Sequence, residues 1–305
     1  MYAIIVNPYS GRKKATQLFQ QVEQLLNLHN MPYKVLLSDS KDASNNFLKK
    51  LLESSSLTAV VVIGGDGTTG SVVQFASKND IPLAILPAGS GNDAARAFGL
   101  SLNPLVFVEK LKDFSVRQVD LLNVDGKFGI TIAAAGVDAE IGEKANHSIF
   151  KVLLNKLGLG GVIYPIAAIQ TLVRFSPFEV DLSIDNEQVF WPRTWLIAAG
   201  NTPSYGGGLR VCPEALTNDG VMHITVAHSA SRPILLLNLF PKLLQGNPIQ
   251  SPSITYFTAT AMTLQANRNI LLILDGEPIH STSFTICIQA KALRLVDTSE
   301  QLIFS

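Results

Sequence analysis

The run Ala59-Val60-Val61-Val62-Ile63 ends in Gly64-Gly65-Asp66-Gly67-Thr68 and passes at once into Thr69-Gly70-Ser71-Val72-Val73. A short apolar run rich in valine reads as a buried strand, and the glycines after it allow a sharp turn into a helix. Such a turn aims backbone N–H groups at the space beyond the strand end, where a phosphate is the favoured occupant. Asp66 adds one carboxylate to that space. The feature calls for a parallel sheet whose strand ends form a crevice.

The first 120 residues supply the rest of such a sheet. Ala3 to Val6, Tyr33 to Leu37 and Ile81 to Leu86 read as further strands. Leu18, Phe19, Val22, Leu25 and Leu26 recur at helical spacing within Ala15 to Leu28, Phe47, Leu48, Leu51 and Leu52 mark a second helix, and Gly70 to Ser77 a third. The expectation is an α/β domain with a doubly wound, mostly parallel sheet.

Beyond residue 120 the pattern turns to strands. Gln118 to Val124, Lys127 to Ala134, Val180 to Ile184, Thr194 to Ala199, Val221 to Val226, Ala261 to Gln265, Ile270 to Leu274 and Phe284 to Gln289 are bounded by turns such as Asp125-Gly126 and Asp185-Asn186. A C-terminal β-sandwich domain is expected, with helical insertions near 145 to 175 and 231 to 245. The boundaries read as 1–122 for the first domain and 123–291 for the second.

Charge excludes some functions. Lys plus Arg and Asp plus Glu are equal at 24 each, so no global field recruits nucleic acid or an anionic membrane, and only a local basic patch stays open. Cys212 and Cys287 stand far apart without a CxxC pattern, which points to reduced thiols in a cytoplasmic protein. The five histidines, His147 among them, fall in no catalytic pattern. The uncharged stretch Leu157 to Val173 is broken by Gly158, Gly160, Gly161 and Pro165 and is too short for a membrane span of about 20 residues. The apolar stretches Ile149 to Leu159, Val162 to Val173 and Ile234 to Leu244 suit core packing or a lipid-facing cleft.

Two further strand ends carry turn residues. Asn7-Pro8-Tyr9-Ser10-Gly11 follows the first strand, and Pro87-Ala88-Gly89-Ser90-Gly91-Asn92-Asp93-Ala94-Ala95-Arg96 follows the fourth. Either could be an ordinary strand-to-helix connection. Gly89, Gly91 and Ala94 fit a relaxed GxGxxA pattern, but a dinucleotide site expects that pattern in the first βαβ unit. No Walker A motif occurs. Together the turns would converge on one crevice, with Asp66 and Asp93 as candidates to hold Mg²⁺ against phosphates. Asp275-Gly276-Glu277 follows another strand; it suits a hairpin turn, or a general base if Glu277 reaches the same crevice.

In this order the motifs resemble the diacylglycerol kinase catalytic-domain family, specifically its soluble bacterial lipid kinases, relatives of sphingosine and ceramide kinases. Pro213-Glu214-Ala215-Leu216-Thr217-Asn218-Asp219-Gly220-Val221 is similar to the family's PxAxxxDG segment. The resemblance implies a fold of the NAD kinase and diacylglycerol kinase type, with a cleft between the domains and residues 292–305 returning to the first. It implies ATP binding by Asn7, Pro8, Tyr9, Ser10, Gly11, Ser38, Gly65, Asp66, Gly67, Thr68, Thr69, Gly70, Ser71 and Ser90. It places Asp66 and Asp93 in a catalytic Mg²⁺ and phosphate network and makes Glu277 the proton acceptor. A second, structural Mg²⁺ site is implied at Leu216, Asp219 and Val221.

The implied activity is ATP-dependent phosphorylation of the hydroxyl of diacylglycerol or a related lipid. The partner would be a lipid at a membrane surface, approached transiently by a cytoplasmic, peripheral protein, with a homodimer left open. The family commonly follows GGDGT with one residue and then Asn-Glu; here Thr69-Gly70-Ser71 stands instead. Two alternatives stay open: a kinase of a soluble hydroxyl substrate, as in NAD kinases, and a nucleotide-binding regulatory protein with weakened catalysis.

Overall fold

The computed structural model describes residues 1–141, 170–246 and 248–300. The expectations for Ile149 to Leu159, most of Val162 to Val173, His147 and the last five residues lie outside the described residues.

The first half alternates strand and helix: β1 (Tyr2–Val6), α1 (Lys14–Leu28), β2 (Tyr33–Leu37), α2 (Lys41–Ser54), β3 (Ala59–Gly64), α3 (Asp66–Lys78), β4 (Leu83–Pro87), α4 (Asp93–Ala97) and α5 (Pro104–Asp113). Parallel pairing runs β4-β3-β1-β2. Every residue of β1, β3 and β4 is buried, as expected for strands covered on both faces. Leu18, Phe19, Val22 and Leu26 of α1 join Phe107, Val108 and Leu111 of α5 on one face. Leu48 and Leu51 of α2 join Val72, Val73 and Phe75 of α3 on the other. The sheet is doubly wound, as the sequence implied.

The second half is built from β5 (Val116–Val124), β6 (Lys127–Gly129), β7 (Ile132–Gly136), β8 (Phe178–Ile184), β9 (Glu187–Gly200), β10 (Met222–His228), β11 (Ile254–Ala259), β12 (Ala261–Leu274) and β13 (Glu277–Val296). Between β10 and β11 lies α6, spanning 232–244, a continuous helix made of Arg232–Ile234, a π-helical turn Leu235–Leu239 and Phe240–Leu244. The core of this half centres on Trp195, Phe178 and Phe284, each almost fully buried.

Several strand limits differ from the sequence reading. Lys127 to Ala134 is two strands, because Ile130 and Thr131 turn their N–H groups onto Asp275 instead of a ladder partner. The two runs 261–265 and 270–274 are one strand with a register shift between Gln265 and Ile270. Helix α3 starts at Asp66, inside the glycine motif and four residues before the expected Gly70. Strand β11 was not foreseen.

Strand β13 joins the halves. Its first part pairs antiparallel with β12, its later part pairs antiparallel with β5, and Leu295 lies parallel to Leu83 of β4. One sheet of 13 strands therefore runs through both halves. The strand starts at Glu277 and ends inside the nucleotide-type sheet, so its first residue is fixed relative to the strand ends of β1, β3 and β4.

Candidate active site

Adjacent parallel strands place their carboxyl-end turns side by side. Asn7 N–H donates to Ile63 O at 3.1 Å, and Ala88 N–H donates to Gly64 O at 2.7 Å, so the three turns continue the ladder beyond the strands. Small residues make this contact possible. Gly11 has φ +58°, and a Cβ there would stand 2.0 Å from Ala88 O. A Cβ on Gly89 would stand 2.7 Å from the Gly65 Cα. Side chains larger than hydrogen would force the turns apart.

Between these turns and Glu277 lies a cavity of about 310 Å³. Asn7, Ser10, Ser38, Gly65, Gly67 and Thr68 line it on the sheet side, with Ser71 beside them. Asn7 Nδ2 donates to Thr68 Oγ1 at 3.2 Å, and Asn7 Oδ1 accepts from Tyr9 N–H at 3.0 Å. Gly65 precedes α3 in extended backbone and offers no side-chain cap, so the first N–H groups of that helix are left for another acceptor.

Not every residue expected at the nucleotide faces this cavity. Tyr9 and Ser90 are exposed on their turns, and neither they nor Pro8 and Gly11 line it. Thr69 is buried and donates its hydroxyl to Gly65 O at 3.3 Å. Gly70 faces the other way, toward Asp275.

Asp66 and Asp93 meet across Gly91: a Cβ there would be 3.0 Å from Asp66 Oδ2 and 3.3 Å from Asp93 Oδ2. Burial holds the Asp66 carboxyl above the usual carboxylate range; the negative charge of Asp93 adds to this, and the N–H groups of Ala94, Asp93 and Asn92 oppose it. Asp93 is buried and well partnered. Arg96 Nη1 donates to its Oδ1 at 2.7 Å, and Gly207 N–H reaches both oxygens at 3.1 and 3.0 Å. Gly207 belongs to the second half, so this carboxylate also clamps the two halves. A raised carboxyl facing a second carboxylate is a donor set that a hard cation such as Mg²⁺ relieves.

The turn carrying Glu277 is a two-residue hairpin in which Asp275 and Gly276 have φ of 49° and 88°, the left-handed geometry that Asp-Gly favours. The Asp275 carboxylate is buried and accepts from Ile130 N–H at 2.6 Å, from Thr131 N–H at 2.9 Å, and from the Thr131 hydroxyl. Burial raises its carboxyl pKa against those hydrogen bonds. The sequence marks Asp275 only as a turn residue; its buried carboxylate fixes the hairpin. Glu277 then reaches the cavity, where Lys41 Nζ donates to both of its oxygens. Lys41, Asp39 and Ser44 also line the cavity. The signal in the sequence was their closeness to Ser38.

The segment around Asp219 is a separate site. Asp120, fully buried, accepts from Gly220 N–H at 2.7 Å and from Lys291 N–H at 2.7 Å, pinning the loop that holds Leu216, Asp219 and Val221. Asp219 Oδ1 accepts from Val221 N–H at 3.2 Å, and His223 Nε2 lies 3.2 Å from Oδ2. Each Asp219 oxygen thus carries one such contact and keeps a lone pair for a cation, and the other donors expected there are backbone carbonyls. No group of three or more His, Cys, Asp or Glu side chains suited to a metal occurs among the described residues.

The second half also encloses an apolar cavity of about 100 Å³ beneath α6, lined by Trp195, Leu235, Leu239, Phe240 and Leu243. Asp138 and Tyr205 share it, joined by a hydrogen bond from the tyrosine hydroxyl to Asp138 Oδ2. Burial pushes the Asp138 carboxyl up to about 6, with the Tyr205 bond acting against it. Asp138 Oδ1 is buried without a hydrogen-bond partner among the described residues. No helix among the described residues is long and apolar enough to cross a membrane.

Comparisons with known proteins identify the family and the fold. Residues 1–124 match the diacylglycerol kinase catalytic domain, and residues 131–297 match the YegS C-terminal NAD kinase beta sandwich-like domain. A Mycobacterium tuberculosis protein named diacylglycerol kinase is 35% identical over 225 residues, 72% of this chain and 70% of that one. A protein of Klebsiella pneumoniae named as a YegS-like lipid kinase is 30% identical over 294 residues, 93% of each chain. Among solved structures, a diacylglycerol kinase from Bacillus anthracis has a TM-score of 0.71 at 17% identity, covering 97% of this chain and 96% of that one. An NAD kinase from Archaeoglobus fulgidus in complex with ATP has a TM-score of 0.52 at 12% identity, covering 97% of this chain and 93% of that one, a likeness of fold. With both halves matched in order and the fold shared, the chain belongs to the diacylglycerol kinase catalytic-domain family of lipid kinases and carries the YegS-type C-terminal domain.

Proposed function

We propose that this protein transfers the γ-phosphoryl group of ATP to the hydroxyl of diacylglycerol or a closely related lipid, giving a phospholipid such as phosphatidic acid. The observation that carries the reading is one cavity lined by Asn7, Ser10, Gly65, Gly67 and Thr68 on one side and by Glu277 on the other. Free helix N–H groups at the head of α3 suit phosphates, and a carboxylate across the cavity suits an acceptor hydroxyl.

The residues divide the work. Asn7, Ser10, Ser38, Gly65, Gly67, Thr68 and Ser71 bind the nucleotide, with Gly11 and Gly89 keeping the turns close. Asp66 would hold Mg²⁺, with Asp93 next to it keeping its oxygens on Arg96 and Gly207. A divalent ion there would neutralise charge on the transferring phosphoryl group. Glu277 accepts the proton of the lipid hydroxyl. Leu216, Asp219 and Val221 are the proposed structural Mg²⁺ site of the second domain, 123–291, apart from the chemistry.

The apolar cavity under α6 favours a lipid over a soluble acceptor such as NAD. The test is an assay with radiolabelled ATP offering NAD and mixed-micelle diacylglycerol side by side. Label in the lipid is expected, and it should vanish in Asp66→Ala and Glu277→Gln with the fold intact. Label in NAD alone overturns the proposal; nucleotide binding without transfer to any lipid favours a regulatory role.

A further inference from the structure

We propose that the outer face of α6, with the arginines beside it, docks this protein onto an anionic lipid bilayer. The inner face of the helix is accounted for: Leu235 and Leu239 are buried, and with Phe240 and Leu243 they close the apolar cavity. The outer face is apolar too. Leu237 is 81% exposed, Leu244 50% and Ile234 44%. A helix apolar on both faces is expected in a core or in contact with lipid, yet this one lies at the surface.

The helix register spreads its leucines around both faces. Pro241 has no N–H to give the Leu237 carbonyl, and Phe240 N–H bonds instead to Leu235 O, five residues back. Within this π-helical turn Leu237 is exposed while Leu239 is buried, and Phe240 just after it is half-buried.

Charge identifies the partner. Arg232 and Arg193 each place the guanidinium 5.7 Å from the Trp195 ring centre, and Arg268 lies 5.7 Å from the ring of Phe175. Arg232 Nη2 also donates to Phe175 O at 3.1 Å, which ties these groups to the start of α6. Arg174, which precedes Phe175 in the chain, and Lys242, within α6, are exposed, as are Val173 and Leu244. Segments 170–178 and 229–246 contain no Asp or Glu. An apolar strip bordered by cations matches an anionic bilayer, where each basic residue near the surface contributes about 1 kcal/mol and the leucines enter the acyl boundary. A second copy fits less well, because a two-fold contact would set one arginine cluster against the other.

The placement rests on the lipid-kinase reading for its purpose, but docking can be measured without ATP. Wild-type protein and Leu237→Glu are sedimented with phosphatidylcholine vesicles containing or lacking phosphatidylglycerol. The expected result is binding to the anionic vesicles only, weakened at least roughly tenfold by Leu237→Glu. The double variant Arg174→Glu, Lys242→Glu should lose binding similarly while keeping the wild-type melting temperature. Turnover of a short-chain, water-dispersed diacylglycerol should be unchanged in Leu237→Glu. Absence of wild-type binding, equal binding by Leu237→Glu, or a wild-type dimer that Leu237→Glu dissociates would overturn the proposal. Vesicle binding without lipid phosphorylation would leave docking standing and sink the kinase reading.

Discussion

Lys41 and Glu277 form an ion pair across the candidate active site, with Nζ 2.6 Å from Oε1 and 2.8 Å from Oε2. Lys41 opens α2 and Glu277 opens β13, so the pair joins the nucleotide-type half to the β-rich half at the cavity itself. Both side chains are about half exposed, at 50% and 40%. Such a pair adds little stability, up to about 1 kcal/mol, so its consequence is the orientation of Glu277.

Glu277→Gln is therefore expected to lower kcat for lipid phosphorylation by about 10²-fold or more while moving Tm by no more than about 2–4 °C. Lys41→Ala should lower kcat less, since the carboxylate remains but is no longer held. Initial rates at saturating ATP and a thermal melt of each variant check both points. A Lys41→Ala enzyme with wild-type kcat would remove the positioning role.

Gly11→Ala combines two costs. The left-handed backbone at φ +58° is strained for any side chain with a Cβ by roughly 1–2 kcal/mol. The added methyl would also stand 2.0 Å from Ala88 O, a backbone atom held in the turn-to-turn ladder. A fall of at least about 2 kcal/mol in unfolding free energy is expected from a urea titration with unchanged m. ATP affinity should fall as well, because Ser10 and Asn7 shift with the turn. Wild-type stability would show that the turns are not packed as closely as described.

Much of this site was legible in sequence because glycine marks where backbones approach. The motifs at 7–11, 64–68 and 87–93 located three strand ends, and parallel pairing then required them to be neighbours. The placement of Glu277 was also half visible, since Asp-Gly announced the hairpin but not where it lay. Lys41, Gly207 and the hold of Asp275 on Ile130 and Thr131 were not visible, because the partners are far along the chain and no local spacing encodes them. Of strand β13 the sequence marks only Phe284 to Gln289, since its early residues, such as His280, Ser281 and Ser283, alternate with few apolar ones and stay partly exposed. The buried Asp138 lay hidden in an alanine-rich strand end whose apolar neighbours suggest only core.

Asp138 predicts a pH dependence. Burial raises its carboxyl from 3.8 to about 6, so the native state binds a proton that the unfolded chain has released. The stability from this group is complete below about pH 4 and is lost as pH rises through 6, a difference of roughly 3 kcal/mol. Asp138→Asn lacks this titration. Unfolding free energy of the variant minus that of the wild type should rise between pH 4 and 7, read from urea melts across that range. A flat difference would show that Asp138 is ionised without penalty. Asp185 and Asp297, whose carboxyls are lowered, have the opposite sign but cancel in the subtraction.

Gly70 and Ser71 replace the Asn-Glu that commonly follows this motif, and the structure assigns them different consequences. A Cβ at position 70 would stand 3.3 Å from Asp275 Cβ. Asp275 cannot yield easily, since Ile130 and Thr131 hold its carboxylate through three hydrogen bonds. Gly70→Asn should therefore displace the hairpin that carries Glu277, lowering both Tm and kcat. Ser71 is different: its hydroxyl donates to Thr68 O at 2.7 Å, and it lines the cavity beside Lys41 and Glu277. Ser71→Glu adds a second carboxylate where phosphates are proposed to lie, so the fold should persist while ATP affinity falls about tenfold, roughly 1.4 kcal/mol. Calorimetric titration with ATP and lipid-kinase rates separate the two effects. A gain in kcat for Ser71→Glu would instead mean that the native serine limits catalysis.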